Sequence, residues 1–366
     1  MAELARIEAL ALPPGGRVIV MSDIHGNLDY FEGLLGQLGF SEADTLILDG
    51  DLLEKGSQSL ALLRRVMALS RAGNVCCVRG NCDGWSRVFE PDRDVDDAHL
   101  LHYIRWKQCG LLWDMCRERG IDPTALEDFA PVRRRLRDAF GEEIAFLAAL
   151  PDAIESEEYI FAHAGMTPGK PLREHRPEEL NRIDRFLDRE MRFDKWLIVG
   201  HYPVVLYGTD TVCANPIIDP QKRVVSIDGG CVLKDDGQLN ALILPENPGG
   251  AFAFEAYDPF PERTVLRDQA AGARSYYIRW GDSSVRVLER GAEFSRCRHV
   301  RTGYEMDILT KYLFTDTEIT GCNDCTDYVL PLKAGDRVRV VEETSRGYLV
   351  KHKGTTGWYF GELGET

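Results

Sequence analysis

The chain has 366 residues, a length that predicts two or three domains of ordinary size. Its 44 lysine and arginine residues against 59 aspartate and glutamate residues give a net charge of −15, which argues against a protein that coats nucleic acid or is held at a membrane by charge. The N-terminus lacks the layout of a signal peptide, and the ten cysteines form no evenly spaced framework. We therefore expect a cytoplasmic protein with reduced cysteines and no membrane partner.

The first part of the chain alternates short apolar runs with amphipathic segments. The apolar runs, which are rich in β-branched residues and predict buried strands, lie at 17–22, 45–48 and 75–78. The segments with apolar residues at helical spacing lie at 28–38 and 57–72. Strands that alternate with helices pair in parallel, so we predict an α/β sheet with its functional groups in the loops beyond the carboxyl ends of the strands.

A charge-rich stretch at 95–150 is predicted to be a helical insertion. After it the strand pattern returns at 159–162, 196–199, 223–227 and 239–244. The composition then changes at 245–250 (PENPGG), where proline, asparagine and glycine favour a turn. We therefore predict that the first domain spans 15–248.

The rest of the chain is predicted to be all-β, with a linker or extension at 249–283. The strands GDRVRVVEE, GYLVK and GWYFGEL resemble those of a bacterial SH3-like barrel, which we assign to 315–366. Residues 284–314 repeat a weaker version of this pattern. They are either a first SH3-like module or an irregular β-extension.

Four aromatic residues of the predicted barrel allow two interpretations. They are Tyr348, Trp358, Tyr359 and Phe360. They either line a groove for an extended peptide or fill the core of the barrel.

Five strand ends carry polar side chains beside a glycine. The segments are 22–27 (SDIHGN), 49–56 (DGDLLEKG), 79–84 (RGNCDG), 162–165 (AHAG) and 200–203 (GHYP). Carboxylates, imidazoles and an amide at successive strand ends predict a metal site, since these ligands suit Mn²⁺, Fe or Zn²⁺. Two such ions about 3.5–4 Å apart hold a phosphoryl group and share an activated water. We therefore expect two divalent ions and a phosphorylated substrate.

These loops resemble, in order, the motifs GDxHG, GDxVDRG, GNHE, HGG and GHxP of the calcineurin-like metallophosphoesterase superfamily. Residues 226–232 (SIDGGCV) are similar to the late SIDTGCV strand of the branch that contains bacterial PPP-type Ser/Thr protein phosphatases. The resemblance covers residues 15–248. It implies an α/β fold, a metallophosphoesterase β-sandwich flanked by helices (αββα), here followed by a small all-β SH3-like C-terminal region.

The resemblance also implies a set of metal ligands and a reaction. The ligands by position are Asp23, His25, Asp51, Asn81, His163 and His201. Asp51 would bridge the two ions, and a hydroxide shared by them would attack phosphorus, because two divalent charges lower the pKa of bound water. Manganese is the metal expected first, with iron and zinc as alternatives.

The family's proton donor is replaced in this chain. Cys82 and Glu54 stand where the family has the histidine that protonates the leaving oxygen and the aspartate that steadies it. A thiol is a weak donor, and losing a general acid costs about 10²–10⁴-fold in rate. Cys82, Glu54 and Asp83 are the candidate proton donors, and efficient hydrolysis of alkyl phosphomonoesters is disfavoured.

The phosphate-binding positions differ as well. Lys55 replaces the arginine of VDRG and offers a point charge instead of a bidentate fork. Arg182 and Arg185 are the candidates for a second phosphate-binding arginine, although each also fits a solvated helix face.

Together these features predict a dinuclear metal-dependent phosphoesterase, first of all a PPP-type enzyme that acts on phosphoproteins. A phosphodiesterase is one alternative, because the GNCD variant resembles that of a small phosphodiesterase branch of the superfamily that acts on activated diesters. A dinucleoside polyphosphate hydrolase is another, because its phosphate leaving group needs less protonation. A non-catalytic metal-binding scaffold that acts through the SH3-like region is the alternative from another class.

Overall fold

The computed structural model of the protein describes residues 3–13, 15–91, 93–247 and 249–365. The α-helices are α1 (Leu28–Leu38), α2 (Ser59–Ser70), α3 (Asp97–Lys107), α4 (Leu111–Glu118), α5 (Ala130–Ala139), α6 (Gly141–Ala149) and α7 (Glu178–Asn181). The first twelve strands are β1 (Ile7–Ala9), β2 (Val18–Met21), β3 (Thr45–Asp49), β4 (Val75–Val78), β5 (Ala153–Glu155), β6 (Tyr159–Phe161), β7 (Trp196–Val199), β8 (Val212–Cys213), β9 (Ile217–Asp219), β10 (Val224–Ser226), β11 (Leu239–Ile243) and β12 (Ala253–Tyr257). The remaining strands are β13 (Glu262–Val265), β14 (Tyr277–Ile278), β15 (Ser284–Glu289), β16 (Phe294–His299), β17 (Glu305–Leu309), β18 (Ile319–Gly321), β19 (Cys325–Thr326), β20 (Arg337–Thr344), β21 (Gly347–His352), β22 (Thr355–Tyr359) and β23 (Leu363–Gly364).

The chain divides into two compact units. The first consists of Met1–Pro203, Pro216–Leu233 and Gly237–Asp258, and the second of Val204–Asn215, Lys234–Asp236 and Pro259–Thr366. Strand β12 pairs along its length with β11 and belongs to the first unit. Position 248, where the first domain was predicted to end, lies outside the described residues. The predicted domain boundaries stay a prediction.

The first unit is built on two sheets. One has the strand order β1-β5-β6-β7-β10-β9, and the other has the order β12-β11-β2-β3-β4. The pairs β2–β3, β3–β4, β6–β7 and β7–β10 are parallel, as the alternation of strands and helices predicts. Parallel pairing brings the carboxyl ends of β2, β3 and β4 to one edge of the second sheet.

The residues of β2 and β3 alternate between two cores, because successive side chains of a strand point to opposite faces. Val20 and Ile47 pack with Phe161 of the other sheet. Ile19 and Leu46 pack in a second core that also holds buried residues of helices α1, α2, α4 and α5. The unit is therefore a sandwich of two sheets with helices against the second sheet, and the predicted α/β fold class is confirmed.

Helix α1 begins and ends where the sequence predicts. The Asn27 side chain caps it by accepting a hydrogen bond from the backbone N–H of Tyr30 (3.3 Å), and Gly39 ends it in the left-handed conformation (φ 57°). The predicted helical insertion contains α3 to α6. None of the helices in the described part of the chain is long and apolar enough to cross a membrane.

The second unit is all-β in the residues described, apart from short 3-10 turns, in agreement with the prediction. Its sheets have the orders β23-β13-β20-β21-β22-β8, β17-β16-β15-β18 and β14-β19. Trp358 and Tyr359 are buried among apolar residues, Tyr348 is half-buried and Phe360 is exposed. The first two aromatic residues therefore belong to cores, while the SH3-like character of this region and its one or two modules stay predictions.

Candidate metal centre

Five loops that directly follow strands bring the predicted metal ligands together. Asp23 and His25 follow β2, Asp51 follows β3, Asn81 follows β4, His163 follows β6 and His201 follows β7. All but Asn81 and His201 are almost fully buried, and these two are partly buried. The two sheets therefore supply one cluster from both halves of the sandwich.

The backbone of this cluster is unusual. Asp23, His25, Asp51 and His201 have φ angles of 55°, 52°, 50° and 67°, in the left-handed region that side chains other than glycine rarely adopt. Such conformations persist where the surrounding structure holds them, and they are concentrated at functional sites. The backbone of these four residues is therefore strained at the positions where their side chains enter the cluster.

Two glycines let the loops approach the ligands closely. A Cβ at Gly80 would collide with the backbone nitrogen and Oδ1 of Asp51. A Cβ at Gly200 would collide with Oδ2 of Asp23. These positions need glycine because a carboxylate occupies the space in which any side chain would begin.

Each imidazole of the cluster has one ring nitrogen held by an oxygen acceptor. The pairs are His25 Nδ1 with Leu53 O (3.3 Å), His163 Nδ1 with Asp49 O (2.9 Å) and His201 Nε2 with Asp184 Oδ1 (3.2 Å). A ring nitrogen that donates to an oxygen fixes the tautomer and leaves the other nitrogen with a lone pair for a metal. The imidazoles are therefore oriented as metal ligands.

Asp51 stands between two groups of ligand atoms. The ligand atoms of Asp51, His163 and His201 lie within 4.8 Å of one another, and those of His25, Asp51 and Cys82 do too. Oδ1 of Asp51 is 3.3 Å from Nε2 of His163, while Oδ2 is 3.8 Å from Nε2 of His25. One carboxylate thus faces an imidazole of each group, as a ligand shared by two ions requires.

The remaining predicted ligands complete the two groups. Oδ1 of Asn81 is 3.3 Å from Nε2 of His163. Oδ1 of Asp23 is 3.8 Å from Nε2 of His25 and, among the described residues, has no hydrogen-bond partner although it is buried. A buried carboxylate oxygen without a partner is costly unless a cation binds it. The donor set therefore fits divalent metal ions.

The electrostatics of the cluster agree with this fit. Burial acts against a charge on His163, but the nearby Asp51 and Asp23 carboxylates raise its pKa well above the ordinary value. Burial would likewise raise the pKa of Asp51, yet His163 and His25 lower it below the usual range. The pKa of His201 is lowered to about 4 by burial and by His163. The buried carboxylates thus make the centre of the cluster favourable for positive charge, which agrees with a site for cations.

Cys82 is the candidate proton donor nearest to the cluster. Its backbone N–H donates to Oδ1 of Asp51 (2.8 Å), and its Sγ accepts from Nδ2 of Asn81 (3.3 Å). Burial and the charge of Asp51 raise the pKa of the thiol. A thiol is in any case a weak donor.

Glu54 and Asp83 have their carboxylate oxygens engaged elsewhere. Glu54 accepts hydrogen bonds from the Tyr103 hydroxyl (2.7 Å) and from the backbone N–H of Leu111 (2.9 Å), both in the helical insertion. Asp83 is fully buried and accepts from the backbone N–H groups of Leu53 (3.2 Å) and Gly80 (2.9 Å). Burial and Asp51 raise the pKa of Asp83 to about 7. Both carboxylates hold loops in place.

The candidate phosphate-binding residues separate into two sets. Lys55 and Arg182 line a cavity of about 570 Å³ that also reaches Asn81 and Cys82. Arg185 does not line this cavity. Its guanidinium donates to Asp188 (2.5 Å) and to the Tyr202 hydroxyl (3.3 Å).

Three residues of the site escaped the sequence analysis as functional candidates. Asp49 is buried, and its backbone carbonyl oxygen contacts Nδ1 of His163. Neither of its carboxylate oxygens has a hydrogen-bond partner among the described residues, and burial raises the pKa of this carboxylate to about 7. Asp184 contacts His201, and Tyr103 reaches Glu54 from the insertion. Asp49 precedes a predicted ligand loop and was therefore within reach of sequence reasoning, whereas nothing near Tyr103 in the sequence indicates its partner.

Comparisons with known proteins show which family this chain resembles. The sequence profile described as calcineurin-like phosphoesterase matches residues 16–228. The asymmetrical bis(5'-nucleosyl)-tetraphosphatase PrpE of Bacillus subtilis strain 168 is 25% identical over 248 residues, which is 62% of this chain and 90% of that protein. The symmetrical bis(5'-nucleosyl)-tetraphosphatase of Aggregatibacter actinomycetemcomitans is 31% identical over 152 residues, 41% of this chain and 44% of that protein. A protein serine/threonine phosphatase structure from Saccharomyces cerevisiae matches 69% of this chain and 83% of its own, with 12% identity and a TM-score of 0.43.

Proposed function

This chain belongs to the calcineurin-like phosphoesterase family of metal-dependent hydrolases, and we propose that it is a dinuclear enzyme that hydrolyses the phosphoanhydride bonds of dinucleoside polyphosphates. The observation that carries the dinuclear part is the position of Asp51, whose two carboxylate oxygens face an imidazole of each ligand group. The choice of substrate is supported by the relatives named above and by the absence of a strong acid at position 82.

The residues proposed to hold the two ions are the six predicted ligands. Asp23, His25 and Asp51 would hold one ion, and Asp51, Asn81, His163 and His201 would hold the other. When bound, two divalent ions supply a water of lowered pKa and neutralise charge on the phosphoryl group. The identity of the metal is part of the proposal, with manganese first and iron or zinc as alternatives.

The chain's own residues would bind the phosphates and orient the imidazoles. Lys55 and Arg182 line the cavity beside Asn81, where their charges attract phosphate oxygens. Asp184, Leu53 and Asp49 hold the imidazoles in one orientation, so that the ligand nitrogens need no reorganisation. These hydrogen bonds would orient the reaction centre before any substrate arrives.

The leaving group decides how much the missing acid matters. An alkoxide from phosphoserine must be protonated as it departs, whereas a nucleotide phosphate leaves as a stable anion. Cys82 is a weak donor, and the oxygens of Glu54 and Asp83 are engaged by hydrogen bonds from other groups. This argues for an anhydride or an activated ester as the substrate.

A protein phosphatase is the second candidate, because of the late SIDGGCV segment. Asp228 in this segment is buried, accepts from the backbone N–H of Gly230 (2.8 Å) and acts electrostatically on Asp23. The non-catalytic scaffold is set aside because the relatives of this chain are hydrolases. A peptide partner for the C-terminal region and a cytoplasmic location stay predictions.

The test compares three substrates under one set of conditions. Purified protein with Mn²⁺ is given diadenosine tetraphosphate, bis-p-nitrophenyl phosphate and a phosphoserine peptide, with the Asp51→Asn protein as the blank. We expect the largest kcat/KM for the tetraphosphate and the smallest for the peptide. A preference for the peptide would replace this proposal with the protein phosphatase.

A further inference from the structure

The cavity beside Asn81 and Cys82 has a composition that phosphate binding alone does not require. It has a volume of about 570 Å³, within the usual range for sites that hold small molecules. Besides Lys55 and Arg182, its lining includes two aromatic residues, Trp85 and Tyr103, and a further arginine, Arg87. One side of the cavity is thus aromatic, and its cations lie in the same space.

The aromatic side is held in a fixed arrangement. Trp85 lies in the 3-10 helix Gly84–Phe89, directly after the Asn81 loop, and Tyr103 comes from α3 of the insertion. Their ring centroids are 5.8 Å apart with the ring planes tilted by 38°. The hydrogen bond from the Tyr103 hydroxyl to Glu54 (2.7 Å) fixes the second ring. Both residues are only half-buried, so part of each remains accessible.

In the described part of the chain, two of the cations that line the cavity have no close ion pair with the protein. The carboxylates closest to the Arg87 guanidinium, those of Glu3 and Glu178, lie at 3.8 and 3.9 Å, beyond hydrogen-bond distance. Arg79, which also lines the cavity, is by contrast bound to the buried Asp152. Arg87, whose ion pairs are long, and Arg182, which is exposed, are therefore available to an anionic ligand, although Glu178 also lines the cavity.

A ligand that uses both features carries a flat aromatic ring and phosphates. Base–aromatic stacking is worth a substantial part of the binding energy of nucleotides, and arginine pairs with phosphate oxygens. A phosphoserine side chain would use the cations and leave the aromatic side unoccupied. We propose that Trp85 and Tyr103 stack the base of a substrate nucleotide, while Arg87 and Arg182 bind its phosphates.

This inference rests on the proposed function and adds to it a role for the helical insertion. Tyr103 belongs to the insertion, and the insertion is anchored beside the reaction centre through Glu54. We call Trp85 and Tyr103 together the base-binding wall, and the insertion supplies Tyr103. Trp85 and Tyr103 are specificity-determining residues in this account, because they contact the part of the substrate that does not react.

Binding of two product-like probes tests the wall separately from catalysis. The methylene analogue of adenosine 5'-diphosphate carries a base, and methylenediphosphonate is the base-free probe. Neither has a phosphoanhydride bond to cleave, and both are titrated calorimetrically into the whole chain loaded with Mn²⁺. We expect Trp85→Ala to weaken binding of the nucleotide analogue about 10- to 100-fold. Binding of methylenediphosphonate should change less than about twofold, because its contacts are ionic.

Two further variants serve as a fallback and as a control for this experiment. Trp85→Leu retains apolar packing if the alanine variant fails to fold, and it should lose affinity for the nucleotide analogue as well. Trp106→Ala is the matched control, since Trp106 contacts the Tyr103 ring and is 69% exposed but does not line the cavity. It should leave both affinities unchanged.

The outcomes distinguish this inference from the proposed function. Equal weakening of both probes by the Trp85 variants, or loss of affinity with Trp106→Ala, would overturn the base-binding wall. Turnover of diadenosine tetraphosphate unaffected by Trp85→Leu would do the same and leave the proposed function standing. Selective loss of nucleotide-analogue binding in an enzyme that does not cleave the tetraphosphate would instead support the wall and overturn the proposed substrate.

Discussion

The ligand cluster and the adjoining cavity differ in how their side chains are held. In the cluster, Asp51 and His163 are buried and each has partners on more than one side. In the cavity, Lys55 and Arg182 are exposed, and Arg87 has only long contacts with its neighbouring carboxylates. The side chains of the cluster are buried and hydrogen-bonded, while the cations of the cavity are more exposed and have fewer close partners.

This difference indicates a division of labour within one site. A rigid, pre-oriented cluster suits the reaction, since electrostatic stabilisation is strongest when no reorganisation is needed. A cavity with exposed cations and two adjacent aromatic rings suits the choice of substrate. Changes in the cluster should therefore remove activity for every substrate, whereas changes in the cavity should alter preference among substrates.

The largest effect is expected from Asp51→Asn. The change removes the charge between the two ligand groups, so we expect turnover of bis-p-nitrophenyl phosphate to fall by about 10³-fold or more. Metal content measured by mass spectrometry should fall below two ions per chain. Asp138→Asn, at an exposed position, is the control and should retain both activity and metal.

Comparable activity in the Asp51→Asn and Asp138→Asn proteins would contradict the dinuclear assignment. Loss of activity on one substrate only would contradict the division between cluster and cavity. Treatment with a chelator followed by Mn²⁺, Fe²⁺ or Zn²⁺ should restore the wild-type protein, and the best metal identifies the preferred ion.

The next largest effect is expected from Gly80→Ala. A Cβ at this position would collide with the backbone nitrogen and Oδ1 of Asp51, so the carboxylate must shift. We expect turnover to fall about 10²-fold and the free energy of unfolding to fall by about 1–3 kcal/mol. Gly36→Ala is the matched control, because a Cβ there meets no atom within 4 Å on the exposed side of α1.

The control should be slightly more stable than the wild type, since alanine favours a helix over glycine by about 1 kcal/mol. Thermal unfolding of both variants tests the expected stabilities, and their initial rates test the expected loss of turnover. Full activity in the Gly80→Ala protein would show that the cluster tolerates displacement, and the contrast with the cavity would then lose its basis.

The ligand cluster was accessible to sequence reasoning because its signal is local. Strand periodicity located β2, β3 and β4, and parallel pairing places the loops that follow them at one edge, so Asp23, Asp51 and Asn81 were expected to meet. The bounds of α1 were also correct, because Asn27 and Gly39 mark its ends chemically. Local chemistry and a regular topology thus predict that these loops gather, whereas the choice of the six ligands came from the resemblance to the family motifs.

The cavity was not accessible in the same way. Tyr103 lies in a charge-rich insertion, and its partner Glu54 is 49 positions away, so no spacing rule connects them. Glu54 and Asp83 were considered as proton donors, but the hydrogen bonds that engage their oxygens come from residues distant in sequence, such as Leu111 and Leu53. Contacts of this kind depend on how the insertion packs, which periodicity does not encode.

A smaller effect is expected from Cys82→His, which tests whether Cys82 occupies the position of the missing general acid. An imidazole at this position should raise the rate of hydrolysis of phenyl phosphate, whose phenolate is a poor leaving group, more than that of p-nitrophenyl phosphate. We expect a gain of about 10-fold, below the usual worth of a general acid, because Glu54 is already bound to Tyr103 and cannot orient the ring.

The double variant Cys82→His with Tyr103→Phe should gain more, since removing the hydroxyl frees one oxygen of Glu54 while the aromatic ring stays. The ratio of the two initial rates is the measurement, and Tyr103→Phe alone is the control. An equal gain on both substrates would mean that Cys82 does not occupy the place of the acid.

The smallest effect separates the two candidate phosphate-binding arginines. Arg182 lines the cavity, whereas Arg185 is held by Asp188 and Tyr202 outside it. Arg182→Ala should raise KM for diadenosine tetraphosphate about 5- to 10-fold with little change in kcat, because a mobile surface cation contributes mainly to binding. Arg185→Ala should leave KM within about twofold, since its guanidinium is engaged within the protein. The reverse order of the two KM values would move the phosphate-binding surface to the Tyr202 side of the cluster, and the cavity would then no longer account for substrate choice.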